Sequence, residues 1–425
     1  MLLEVRGRTI RLDAQSVRHA PAALRAEIAT MPRAVRGWLG LLALLLAVGG
    51  LSATVSIPAG KQVFATTPAF EWGLLIAAYV FFVVTTSGLC LVASLGRVFG
   101  IKQFLPLEKR HIVLALLFLL TGFGIIALDL HYPLRLIFGV VMSPSPSSAM
   151  WWMGTLYAIY FGVLSVELWS EFTGRWRIHQ AACTIAAATA VVAPSTLGLV
   201  FGNLVSRPFW QGSLAPVYLF LTAVLSGASV LTIVFVAVQR LRLPGHGPEA
   251  LNALRGLWKI LVVVLAVVIC YTGGRTAIAL LVGDAAEHDA AVAMMSGPLS
   301  LQSWVGRVGL GLVLPLVILI VWRRGSLVAM FVAASLAMSG LFADRLGFVE
   351  AGQIAPAGAA SGIVAQPYGS YAPSLVEIGI VVGAVGLIAF AFTVAEHFLD
   401  LSSPIGHELG APVAGPAPDP APEAA

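Results

Sequence analysis

The sequence predicts an all-α, polytopic membrane protein with about ten transmembrane helices. Hydrophobic residues make up 59% of the 425 residues and charged residues only 11%, whereas a soluble domain carries roughly 25% charged residues. The apolar residues fall into ten runs, each close to the about 20 residues that a helix needs to cross a bilayer core. The chain therefore has more apolar surface than one globular core can bury, and we expect lipid to cover the remainder.

Each predicted helix is one of these runs. The spans are residues 37–56, 72–99, 109–131, 151–172, 178–203, 214–238, 257–282, 305–322, 327–348 and 375–398. The first run begins too far from the N-terminus for a signal peptide, so we expect it to be retained as a helix. We divide the chain into an N-terminal segment (1–36), a membrane domain (37–400) and a C-terminal tail (401–425) rich in Pro, Ala and Gly, which predicts disorder.

Lys and Arg predict the orientation of the membrane domain, because basic residues concentrate on the cytoplasmic side. If the N-terminus is cytoplasmic, most of the 25 basic residues lie in the predicted inner segments. The six exceptions are Lys61, Arg135, Arg207, Arg275, Arg307 and Arg345. Both termini are then cytoplasmic, and we expect a multi-pass protein of the bacterial inner membrane.

A weak internal repeat divides the membrane domain. Trp72 precedes the pair Ser87-Gly88 by fifteen residues, and Trp210 precedes Ser226-Gly227 by sixteen. This spacing predicts two parallel four-helix bundles, residues 72–203 and 214–348. The alternative stays open, because interfacial Trp and small residue pairs are common in membrane helices.

The composition also excludes several classes of site. The basic residues form no continuous stripe, which argues against nucleic acid binding. The three cysteines, Cys90, Cys183 and Cys270, stand far apart without C-x-x-C spacing. We therefore expect no haem, metal or iron–sulfur cluster in this chain.

Polar residues converge at the predicted outer end of the first bundle. They are Glu71, Trp72, Asp129, His131, Arg135, Arg207 and Trp210. Ionisable groups in a membrane are costly and mark either function or mutual pairing. An apolar pocket with such a rim suits a quinone, with Asp129 or His131 as the base that accepts protons. The alternative is that Asp129 forms a structural ion pair with Arg135 or Arg207.

Two further polar groups have less specific interpretations. At the predicted inner end, His111, Glu167 and His179 could begin a proton path, could be boundary residues, or could include a bis-histidine haem site. In the second bundle, Arg275, Arg307, Asp344 and Arg345 gather toward the outside, where mutual pairing is the simplest role.

Five stretches are distinctive in their order and spacing: residues 71–82, Ser87-Gly88, residues 129–135, residues 150–154 and residues 207–210. Together they resemble the NrfD/PsrC family, the membrane subunits of polysulfide reductase and related complexes. Asp129 with Arg135 matches the family's polar motif after the third helix, and Arg207 with Trp210 matches the motif after the fifth. His131 departs from the pattern. The first helix and the Arg-rich leader resemble the ten-helix branch.

The resemblance implies a cofactor-free membrane subunit that binds quinone or menaquinone at the outer face of its first bundle. Such subunits exchange electrons with a ferredoxin-like iron–sulfur subunit, which serves a molybdopterin enzyme, a hydrogenase or a multihaem cytochrome. We therefore expect a subunit of a respiratory oxidoreductase complex that is not catalytic alone. A secondary transporter built from two repeated bundles and a haem b membrane cytochrome are the alternatives.

Overall fold

The computed structural model describes residues 2–5, 8–11, 33–68, 70–130, 138, 142–205, 207, 209–210, 214–322, 326–354, 370–399 and 401. Within these residues the membrane domain is all-α, which confirms the predicted fold class. The helices are α1 (Arg33–Ala59), α2 (Leu74–Arg97), α3 (Glu108–Asp129), α4 (Ala149–Phe172), α5 (Trp176–Gly202), α6 (Leu214–Arg240), α7 (Pro248–Leu281), α8 (Ala285–Met295), α9 (Leu314–Val321), α10 (Leu327–Ile354) and α11 (Leu375–Phe398).

Ten helices of the described chain are long and apolar enough to cross a membrane, at the ten places that the sequence predicts. Helix α7 begins at Pro248, nine residues before the predicted span, and runs for 34 residues. The eighth span begins as a π-helical stretch, Gln302–Val313, that continues into α9. Short 3₁₀ turns, Gly60–Val63 and Lys102–Leu107, precede α2 and α3.

Three further elements of the described residues lie outside the helices that the sequence predicts. Strands β1 (Leu2–Val5) and β2 (Arg8–Arg11) pair antiparallel near the N-terminus. Helix α8 lies between the seventh and eighth spans and is capped at its N-terminus by Asp284, whose side chain accepts a hydrogen bond from the Glu287 backbone N–H. At 11 residues it is too short to span a bilayer.

Helix α2 is the centre of the membrane domain. It packs against α3, α5, α6 and α10, and 94% of its most apolar window is buried. Its Gly88 meets Gly227 of α6 so closely that a Cβ on Gly88 would lie 1.7 Å from the carbonyl oxygen of Ala223. The two Ser-Gly pairs of the predicted repeat therefore face each other, while the division into two four-helix bundles stays a prediction.

The first and last spans pack against each other. Helices α1 and α11 cross at Gly49 and Gly383, where a Cβ on either residue would lie within 2.4 Å of the Cα of the other. Helix α11 also packs on α3, so this pair lies beside the helices of the first predicted bundle.

Candidate functional site

The two ends of the membrane domain carry different chemistry, and we name them by one residue each. The Trp72 end holds the start of α2 and the end of α3, and the sequence predicts that it faces outward. The Glu108 end holds the end of α2 and the start of α3. Each end contains buried polar side chains.

At the Trp72 end, four rings form what we call the aromatic cluster: Trp72, Phe201, Trp210 and Phe348. The indoles of Trp72 and Trp210 stack with centroids 5.1 Å apart, and Phe201 packs edge-on against both. The Trp210 Nε1–H donates to the carbonyl of Phe348 at 2.7 Å. Because Trp210 is only 2% exposed, this cluster is a packed wall.

Gln353 of α10 fixes the start of α2 to this wall. Its Oε1 accepts from the Trp72 backbone N–H at 3.0 Å, and its Nε2 donates to the Trp72 carbonyl at 2.8 Å. The Arg207 guanidinium donates to the backbone carbonyl of Gln353 at 3.5 Å. The structure thus brings together Trp72, Arg207 and Trp210, three of the residues that the sequence places at this end.

The other residues predicted for this end lie apart from that wall. Glu71 is exposed. Asp129 is buried at the end of α3 and interacts electrostatically with Lys61 and Glu377. Among the described contacts, none joins Asp129 to Arg207. His131 and Arg135 lie outside the described residues, so their predicted roles stay predictions.

A second polar link at this end joins α11 to α2. The hydroxyl of Tyr371 accepts from the Leu74 N–H at 2.7 Å and donates to Glu377 Oε1 at 2.6 Å. Burial, together with the hydrogen bond to Glu377, raises the pKa of Tyr371 well above its ordinary value, so the phenol keeps its proton. The sequence expectation omits these residues, although Ser374 followed three residues later by Glu377 is a capping-box signature.

Beside the aromatic cluster is a small recess with a volume of about 30 Å³. Phe348 belongs to both, so the two features share a wall. The recess is lined by aromatic, methionine and alanine side chains and by polar and charged groups; its lining residues are Phe209, Tyr218, Arg275, Thr276, Ala279, Ala291, Met294, Met295, Ser303, Arg307, Asp344 and Phe348. The π-helical stretch supplies Ser303 and Arg307.

One carboxylate and two guanidinium groups face this recess. Asp344 accepts a hydrogen bond from the Tyr218 hydroxyl and forms an ion pair with Arg307, whose Nε lies 2.9 Å from Asp344 Oδ1. Arg275 donates to the Phe209 carbonyl at 2.6 Å and stacks over the Phe209 ring. The expected pairing of these outer charges is thus present for Arg307 and Asp344. One carboxylate facing two guanidinium groups leaves the recess with an excess of positive charge.

The Glu108 end contains a second group, which we call the charged cluster: Arg97, Glu108, Lys109, His111, Glu167, Glu171, His179 and Cys183. Arg97 binds both carboxylate oxygens of Glu108. His179 Nε2 lies 2.7 Å from Glu108 Oε1 and 3.3 Å from Glu171 Oε2, and Lys109 is 3.8 Å from Glu171. His111 Nε2 lies 3.4 Å from Glu167 Oε1.

The charged cluster joins the three residues that the sequence proposes for the inner end, His111, Glu167 and His179. Glu108 and Cys183 are further members that the sequence does not reveal, because each alone resembles a boundary or core residue. The Nε2 atom of each histidine faces a carboxylate, which is an ion-pair arrangement and differs from two rings that face a common haem. Their role in a proton path stays a prediction.

Comparison with known proteins points to one family. The family described as polysulphide reductase, NrfD, matches residues 62–357. A selenate reductase subunit of Mesobacillus selenatarsenatis is 22% identical over 405 residues, which cover 84% of this chain and 92% of that protein. An Hdr-like menaquinol oxidoreductase integral membrane subunit of Archaeoglobus fulgidus is 23% identical over 340 residues, 78% of this chain and 85% of that protein.

Proposed function

Because this chain belongs to the polysulphide reductase NrfD family, we propose that it is the quinone-binding membrane subunit of a respiratory oxidoreductase complex. The family resemblance seen in the sequence is confirmed by this match. The quinone head binds at the Trp72 end, in the recess beside the aromatic cluster. The name of the Archaeoglobus relative, a menaquinol oxidoreductase subunit, supports this ligand.

The recess is the observation that carries the proposal. Its free volume is about 30 Å³, so a quinone head enters only as the flexible methionine side chains of its wall move apart. Its apolar walls and convergent polar groups are the usual make-up of a small-molecule site. The rings of Tyr218 and Phe348, with centroids 5.1 Å apart and planes inclined by 28°, offer an aromatic surface for a flat ring. Met294 and Met295 add adaptable apolar contacts.

The polar groups of the recess match the oxygen atoms of a quinone. The carbonyls of such a ring accept hydrogen bonds, and the Arg275 and Arg307 guanidinium groups are donors. When bound, a quinone exchanges two electrons and two protons with its surroundings. Asp344 lies between Tyr218 and Arg307, where it is placed to hold a proton at its carboxylate.

The proposed quinone site therefore consists of other residues than those that the sequence predicts. The sequence assigns the base to Asp129 or His131 and assigns quinone binding to Glu71, Trp72, Arg135, Arg207 and Trp210. Asp129 is absent from the lining of the recess, and Trp210 contributes through its packing against Phe348. We retain Asp129 as the alternative base, and matched variants separate it from Asp344.

Electrons need an adjacent acceptor or donor, and the partner subunits supply it. We propose an iron–sulfur subunit at the Trp72 end and, beyond it, a catalytic subunit that carries the molybdopterin, hydrogenase or multihaem centre. The chain is then a multi-pass protein of the inner membrane with both termini cytoplasmic. The Mesobacillus relative is named as a subunit of selenate reductase, which supports a multi-subunit assembly for this chain.

The test uses the intact complex and compares matched variants. Asp344→Asn and Tyr218→Phe should each lower quinol-dependent turnover about tenfold or more, since a hydrogen bond to a charged group contributes roughly 1.5–3 kcal/mol. Tyr271→Phe is the control, because the Tyr271 hydroxyl bonds to the Leu214 carbonyl. A loss of turnover in Asp129→Asn with full activity in the two recess variants would contradict the recess as the quinone site and would assign the base to Asp129.

A further inference from the structure

The charged cluster at the Glu108 end brings together three of the atom types that zinc binds in proteins. Glu108 Oε1, His179 Nε2 and Cys183 Sγ all lie within 4.8 Å of one another. His179 Nε2 is 2.7 Å from Glu108 Oε1 and 3.4 Å from Cys183 Sγ, and Cys183 Sγ is 4.0 Å from Glu108 Oε1. Ligand atoms of a tetrahedral zinc are separated by roughly 3.3–3.6 Å. Movements of about 0.6 Å or less would give these atoms that spacing.

A fourth ligand is adjacent. Glu167 Oε1 lies 3.4 Å from Cys183 Sγ. The other oxygen, Glu167 Oε2, has no hydrogen-bond partner among the described residues, although Glu167 is only 1% exposed. Glu108, Glu167 and Cys183 line the same cavity. A buried carboxylate oxygen without a donor is uncommon in proteins, and a bound cation satisfies it.

The orientation of His179 is compatible with a bound cation. Its Nδ1 lies 3.4 Å from the backbone carbonyl of Glu167 and 3.5 Å from the Ser170 hydroxyl, which itself donates to that carbonyl at 3.0 Å, so Nδ1 is placed to donate a hydrogen bond. Nε2 faces Glu108 Oε1 at 2.7 Å. The two atoms share a proton in the ion pair, and a metal ion replaces that proton when it binds. An Nδ1–H held by a backbone carbonyl is the usual support of a metal-binding histidine.

The net charge of the charged cluster favours the binding of a cation. Three carboxylates, Glu108, Glu167 and Glu171, face the two basic groups Arg97 and Lys109. With neutral histidines the cluster has one excess negative charge, and displacement of the Cys183 thiol proton by a bound metal ion adds a second. A divalent ion neutralises both. Arg97 lies over the Trp176 ring at 4.1 Å and orients Glu108.

We propose that Glu108, Glu167, His179 and Cys183 form a binding site for a zinc-type divalent cation. Thiolate and imidazole ligands favour zinc or cobalt over magnesium or calcium. The ion would join α3, α4 and α5 at the Glu108 end, because the four ligands belong to these helices. Such a site departs from the sequence expectation of a chain without metal, and it is independent of the proposed quinone site.

The first experiment uses the unmodified protein in its complex. The sample is equilibrated with zinc chloride, freed of unbound metal by dialysis, and measured for metal content and zinc X-ray absorption. We expect one zinc ion per chain with one sulfur scatterer and otherwise nitrogen and oxygen. No retained zinc, or zinc with only nitrogen and oxygen scatterers, would overturn the proposal.

The second experiment compares matched variants. Cys183→Ser and His179→Gln should each weaken zinc binding at least tenfold, while Cys270→Ser and His246→Gln, at exposed positions, should leave it unchanged. Equal affinity in Cys183→Ser and the unmodified protein would overturn the site. If a variant does not fold, the X-ray absorption result for the unmodified protein decides the question alone.

Discussion

At the scale of single residues, the ion pair between Arg97 and Glu108 has the clearest energetic consequence. Both side chains are only 6% exposed, and the guanidinium binds the carboxylate through Nε and a terminal nitrogen. Two charges at this depth are tolerated because each neutralises the other. Removing one partner leaves an uncompensated buried charge, which costs roughly 3–5 kcal/mol.

We therefore expect Arg97→Ala to lower the free energy of unfolding of the detergent-solubilised protein by about 3–5 kcal/mol. The measurement is the thermal unfolding midpoint, compared with Arg255→Ala. Arg255 is exposed and bonds to Asn252, so its variant should differ from the unmodified protein by about 1 kcal/mol or less. Equal midpoints for the two variants would show that the buried pair contributes no more than a surface contact.

The candidate sites can be predicted from the sequence only in part. His111, Glu167 and His179 are predictable because ionisable residues stand out in apolar runs. Glu108 and Cys183 are not, since each alone resembles a boundary or core residue. Tyr218 and Phe348 escape prediction for the same reason: an aromatic residue in an apolar helix predicts burial, and only the crossing of α6 and α10 makes it line a recess.

At the scale of helices, small residues set the closest approaches. A Cβ on Gly227 would lie 2.0 Å from the carbonyl carbon of Gly88, and a Cβ on Gly340 would lie 1.9 Å from the Cα of Gly311. Helices in membranes associate largely through such close packing, because lipid is as apolar as their side chains. The central contact of α2 with α6 therefore depends on two glycines.

Gly88→Ala should separate α2 from α6 and destabilise the protein by about 1–3 kcal/mol, the usual cost of overpacking a core. The matched control is Gly162→Ala on α4, where an added Cβ meets nothing within 4 Å. That variant should be neutral or slightly stabilising, because Ala has the higher helix propensity. Unfolding midpoints of both variants test this expectation, and an unchanged Gly88→Ala would contradict the close packing.

The ten spans can be predicted because run length alone identifies a membrane helix. The π-helical stretch Gln302–Val313 cannot, since its hydrogen-bond register depends on the packing against α10. The short helix α8 escapes prediction because it carries too few apolar residues to resemble a span. These two elements supply Ser303, Arg307, Met294 and Met295 to the recess. The elements that the sequence does not predict are therefore part of the proposed quinone site.

At the scale of the whole molecule, we expect the ten spans of the described residues to place the segments before α1 and after α11 on the same side of the membrane. The distribution of Lys and Arg predicts that this side is the cytoplasm. A green fluorescent protein fused after α11 should therefore fluoresce, and alkaline phosphatase at the same position should be inactive. An inactive green fluorescent protein with an active alkaline phosphatase would contradict the predicted orientation and would show that the Glu108 end faces outward.

The proposed quinone site can be tested by labelling the intact complex with a photoreactive menaquinone analogue, followed by peptide mapping. We expect cross-links in the recess, on the peptides that carry Tyr218, Met294 and Met295, and their loss when excess menaquinone competes. Competable cross-links confined to the region around Asp129, with none in the recess, would contradict the proposed site.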